Sequence, residues 1–175
     1  GRVMVHDMDT LEFKRGWGAY GKPLSEIGMD AADIRYDPAS PAALEWIGHV
    51  TLGLSNDGLV YVADRRGNRF QVFTKSGEFI KEFFLATSTL QRGSAGGVAF
   101  SHDPEQRYLI VPDIQNNNIW ILNREDGAVV NQIGSAGDNG GQFHGLHMVA
   151  VDSQGNLYTG EVQQGERVQK FRLLN

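Results

Sequence analysis

Between Gly48 and Phe84 the chain falls into four short runs separated by turn residues. Val50–Ser55 alternates apolar with small or polar side chains, and Asn56-Asp57-Gly58 follows it. Leu59–Asp64 is rich in β-formers and ends at Arg66-Gly67-Asn68. Arg69–Thr74 alternates again, and Ser76-Gly77 leads into Phe79–Phe84. Apolar positions recurring every second residue, bounded by Gly, Asn and Asp, predict strands joined by tight hairpins. The stretch reads as a four-stranded antiparallel meander.

The same order returns twice. Val98–Ser101, Arg107–Asp113, Asn117–Asn123 and Ala128–Ile133 repeat it, and so do His147–Asp152, Leu157–Val162 and Arg167–Leu173. An acidic residue closes each second strand: Asp64, Asp113 and Glu161, spaced 49 and 48 residues apart. A constant period of that size with four strands per unit predicts an all-β fold, a β-propeller of four-stranded blades. Arg2–Asp7 and Thr10–Trp17 read as the third and fourth strands of a preceding blade, and the last unit stops at a third strand. Thirteen strands are therefore expected, in full blades over 48–84 and 96–133 with blade remnants over 1–17 and 147–175. The chain is expected to form an open arc, about half of a larger ring, with two end sheets that favour self-association.

The connections differ in length. Leu85–Gly96 and Gly134–Leu146 read as Gly- and Ser-rich linkers, whereas the segment 18–47 is far longer and carries Pro23, Pro38 and Pro41. Loops of that length serve as lids or binding loops. This one is expected to pack as a cover anchored by Trp17 and Trp46, with a helical turn at Ala42–Trp46 behind Ser40-Pro41.

Composition narrows the function classes. The 175 residues include 22 glycines, as frequent tight turns require, and no cysteine, which excludes disulfides and thiolate metal sites. A net charge of −5 argues against a nucleic-acid footprint. No apolar run approaches the roughly 20 residues of a membrane span. There is no Gly-x-Ser-x-Gly and no serine with a plausible local histidine partner, so no hydrolase nucleophile is evident.

Two stretches carry a family resemblance. GSAGDNGGQFHGLHMVAVD at Gly134–Asp152 is similar to the linker and first strand of an NHL repeat, and VYVADRRGNRFQVF at Val60–Phe73 to its second and third strands. The resemblance implies a propeller of six blades. It leaves function open, since such propellers serve as enzymes, receptors and docking platforms.

The histidines sharpen it. His49 and His147 stand at the heads of first strands, 98 residues or two blades apart. First strands line the channel of a propeller, and alternate blades of six sit about 120° apart, so three such histidines would form an open zinc site. This resembles the peptidyl-α-hydroxyglycine α-amidating lyase group. The resemblance implies that His49 and His147 are two of three zinc ligands, that Arg65 contacts a small peptide-like substrate, and that the protein acts outside the cytoplasm. The family's calcium ligand falls at Met148, and its methionine before the last histidine falls at Gly145. The third histidine, a tyrosine and a second arginine are expected upstream. Alternatives stay open: His49 and His147 also read as polar residues lining a wet channel, and the propeller as a non-catalytic platform for a peptide, glycan or protein. Asp64, Asp113 and Glu161 recur in every blade and read as acceptors for turn N–H groups. Arg65 has no equivalent at Ile114 or Val162. His6, His102 and His144 read as incidental.

Overall fold

A computed structural model describes residues 1–174. It is all-β, and its sheets follow the repeat. β1 (Val3–His6) and β2 (Phe13–Trp17) form an antiparallel pair. β3 (Val50–Leu54), β4 (Val60–Asp64), β5 (Arg69–Phe73) and β6 (Phe79–Phe84) form the first complete meander, each strand bonded to the next. β7 (Ala99–Phe100), β8 (Tyr108–Asp113), β9 (Asn118–Asn123) and β10 (Val129–Ile133) form the second. In the linker that follows, β11 (Ser135–Ala136) and β12 (Gln142–Phe143) pair in parallel. β13 (Leu146–Val151), β14 (Leu157–Glu161) and β15 (Val168–Phe171) close the series.

Three apolar layers fill the spaces between these sheets. Val3, Trp17, Trp46, Val60, Val62 and Phe73 join the first pair to β3–β6. Tyr61, Phe70, Val72, Phe83, Leu109, Val111 and Leu122 join β3–β6 to β7–β10. Ile119, Phe143 and Leu146 continue the core toward β13–β15. Central strands β4 and β5 are buried at every position, because a sheet is covered on each side. Complete burial of one such aliphatic or aromatic side chain stabilises by about 1.5–3 kcal/mol, so the layers hold the blades in sequence.

The linker Gly134–Leu146 departs from expectation. It carries β11 and β12, so the named strands among the described residues number fifteen against the thirteen expected. Phe143, fully buried, pulls this segment onto the core and brings its backbone into pairing distance.

The long segment also differs in detail. Trp17 and Trp46 are both buried and anchor it, and Trp46 donates its Nε1–H to Gln71 Oε1 at 2.9 Å. Its only helical turns among the described residues are the 3-10 turns Ala19–Gly21 and Leu24–Glu26. Ala42–Trp46 is not helical. The carbonyls of Ala43 and Glu45 turn instead to the guanidinium of Arg69, at 2.7 and 2.8 Å. A charged donor in a dry site holds them more firmly than an isolated turn would.

The acidic repeat residues take the roles their positions suggest in two blades. Asp64 Oδ1 accepts from Gly67 N–H and Ile47 N–H, and a Cβ on Gly67 would meet the Asp64 carboxylate at 2.2 Å. Asp113 Oδ1 accepts from the N–H groups of Gln115 and Asn116. Glu161 differs: it binds His144 N–H and the Arg167 side chain, because its longer stem reaches the linker rather than its own turn.

Candidate functional site

β3 and β13 begin sheets separated by β7–β10, yet their histidines meet. The ring centroids of His49 and His147 are 5.6 Å apart, with the planes inclined at 70°. The two residues reach this point differently. His49 lies one residue before β3, and its carbonyl accepts Arg65 N–H at 3.2 Å. His147 lies inside β13, where the register to β14 shifts between Leu146 and Met148. The irregularity adds a residue and re-aims the side chain. Equivalent strand heads were expected; unequal positions and one bulge achieve the approach instead. Gly145 makes room, with φ +67° and the Val162 carbonyl only 2.4 Å from where a Cβ would stand.

The electrostatics around the pair are one-sided. His49 is held below the ordinary histidine range by burial, then by the Arg65 charge and by His147. Burial and then Arg65 do the same to His147. Both rings are therefore neutral at neutral pH, the form in which imidazole ligates metal. Arg65 is itself pushed down by burial and by Arg66 and Arg92. Its buried Nε–H has no acceptor among the described residues. His49, Arg65, Arg66, Gln91 and Arg92 line an open cleft of about 540 Å³. Gln91 also borders two neighbouring clefts. One, of about 550 Å³, is lined by Arg92, Gln115, Asn117, Gln163 and Gln164 among others. The other, of about 290 Å³, lies under the long segment at Arg35, Tyr36 and Arg66.

The ring separation lies within the range that one shared ion would require. Two imidazoles bonded to zinc at about 2.0–2.1 Å place their centroids roughly 5–6 Å apart. Among the described residues no group of three His, Cys, Asp or Glu side chains is gathered around the pair. Calcium does not fit at Met148, whose exposed thioether supplies no oxygen. His6 donates its Nδ1–H to the Leu11 carbonyl at 3.0 Å, and His144 lies 3.7 Å from Asp138, both away from the pair.

Sequence reasoning missed Arg69. It is fully buried, donates to Asp64 Oδ2 at 3.0 Å and to Tyr20 OH at 3.0 Å, and lies 3.5 Å from Glu82. It ties the long segment to β3–β6. The signal was present, since Arg69 faces Asp64 across the β4–β5 ladder and Arg167 binds Glu161 in the last sheet. In β9 the equivalent position is Asn118, and Trp120 Nε1–H serves Asp113 instead.

No protein-family model matches the chain, and no curated protein matches it. Solved structures do, and they make this a β-propeller. The Myceliophteria thermophila Cps50 (Swd1) β-propeller domain aligns with 99% of this chain and 48% of its own length, at TM-score 0.61 and 15% identity. A protein of unknown function from Bacteroides caccae aligns over 98% of this chain and 55% of its own, at TM-score 0.60 and 14% identity. Kuenenia stuttgartiensis hydrazine synthase aligns over 69% and 33%, at TM-score 0.51 and 17% identity. This chain therefore spans between a third and just over half of the length of these structures, and the likeness is one of fold.

Proposed function

We propose that this chain is part of an NHL-type, six-bladed propeller whose axis carries a metal-dependent lyase site, like that of the peptidyl-α-hydroxyglycine α-amidating lyase group. The observation behind this reading is the approach of His49 and His147, from sheets that are not neighbours, to a 5.6 Å ring separation. They would hold zinc through two neutral imidazoles, with a third ligand supplied from outside this chain. Bound zinc supplies Lewis-acid polarisation of a substrate oxygen. Arg65 would orient a peptide-like substrate beside it, since its guanidinium lines the same cleft as His49 and its Nε–H is unpaired among the described residues. The clefts that share Gln91 also support a second reading, a non-catalytic platform for a peptide, glycan or protein.

Zinc titration followed by the imidazole nitrogen resonances tests the metal reading. Both His49 and His147 are expected to shift together, weakly and saturably, and His49→Ala to abolish the response of His147. Rings that ignore millimolar zinc in the unsubstituted protein would overturn it and leave the platform.

A further inference from the structure

The arginines beside the histidine pair are more numerous than a metal site needs. Arg65, Arg66 and Arg92 line one cleft with His49, and no acidic side chain lines it with them. Elsewhere Arg69, Arg107, Arg124 and Arg167 are answered by Asp64, Asp103, Asp57 and Glu161, and the arginines without an ion pair outside this cleft among the described residues, Arg2, Arg15, Arg35 and Arg172, do not share a cleft with one another. Among the described residues Arg65, Arg66 and Arg92 take part in no ion pair. They are not idle loops, however. Arg66 Nε is fixed on the Gln91 carbonyl at 3.3 Å, and Arg92 Nη1 on Gln163 Oε1 at 2.7 Å. Neutral acceptors thus orient the two guanidiniums without cancelling their charge, and the remaining N–H groups are left to a ligand. Holding three like charges together in a chain of net charge −5 costs free energy, which a bound anion offsets.

We infer that Arg66 and Arg92, with Arg65 behind them, form an oxyanion-binding subsite that takes the carboxylate or phosphate group of a small ligand. Planar guanidiniums match both groups through paired N–H donors. The neighbouring amide-lined cleft, with Gln115, Gln163 and Gln164, gives the uncharged remainder of such a ligand polar partners. The inference goes beyond the metal reading and does not depend on it, since neither Arg66 nor Arg92 is needed to hold zinc.

Citrate and pyrophosphate, titrated separately into the metal-free protein, are the probes. Calorimetry and the guanidinium and amide resonances of residues 65, 66, 91 and 92 are the readouts. Saturable binding of either probe is expected, weakened about tenfold by Arg66→Gln or by Arg92→Gln, as for loss of one charged hydrogen-bond partner. Arg107→Gln, remote and paired with Asp103, is expected to leave binding unchanged. Citrate alone binding assigns a carboxylate, and pyrophosphate alone a phosphate. No saturable binding of either probe, or equal weakening by Arg107→Gln, would overturn the subsite while leaving the zinc titration unaffected.

Discussion

At the scale of single residues the site is governed by which charges lack a partner. His49 and His147 are lowered by burial first and by Arg65 next. Removing a nearby cation stabilises an imidazolium, so Arg65→Gln is expected to raise the titration midpoints of both rings toward the ordinary value near 6.5. A two-dimensional NMR titration reads both at once; a variant that moves neither midpoint would show that burial alone sets them. The sign for stability follows. Because the folded-state values are depressed, the contribution of these histidines is present above the ordinary value near 6.5 and is lost as pH falls below it. Of these residue-level features, the sequence placed the two histidines two blades apart, and the family resemblance singled out Arg65. It did not disclose the Arg66–Arg92 arrangement, because Arg92 sits in a linker whose path depends on Ser94 and Asn68. Ser94 N–H and Oγ–H both bind Asn68 Oδ1, at 2.7 and 2.9 Å, a contact no local pattern encodes.

At the scale of elements, the blades were legible and the connections were not. Period-two alternation and turn glycines depend on local chemistry, so β3–β6 fall within a residue of where the pattern puts them. The parallel pair β11–β12 and the non-helical Ala42–Trp46 each arise from a tertiary partner instead, the buried Phe143 and the Arg69 guanidinium, and the register shift at His147 has no local signal either. The long segment is the clearest case. Tyr20 N–H and Trp46 Nε1–H share Gln71 Oε1, Lys22 pairs with the buried Glu45, and Trp46 meets Phe73 edge to face at 5.8 Å. Trp46→Ala removes the largest of these contacts and opens a cavity against Val60 and Phe73, at a cost of about 3–5 kcal/mol. Denaturant unfolding is expected to show that loss, together with protease cleavage confined to 18–47. Unchanged stability would mean that the segment is held by Arg69 and Gln71 alone.

At the scale of the whole molecule, the sheets stack in order and the apolar layers run between neighbours, each end sheet being covered on one side by these layers. The consequences are visible at both ends. Phe13 is 51% exposed on the first pair, and Met148 and Val168 are 65% and 74% exposed on the last sheet. β15 also presents an edge with no neighbour among the described strands. Exposed apolar side chains beside an unpaired strand edge are the combination that drives strand-to-strand association. Charge does little to oppose it, because −5 over 175 residues is a low density and salt screens it beyond about 8–10 Å. This 175-residue polypeptide is therefore expected to self-associate reversibly, with a weight-average sedimentation coefficient that rises with concentration and rises further in salt. Val168→Lys puts a charge on the exposed edge and is expected to shift the equilibrium toward monomer without touching the core. A monomer that persists at all concentrations and salt levels would show that the end sheets are protected by their own twist, and the apolar exposure would then carry no association.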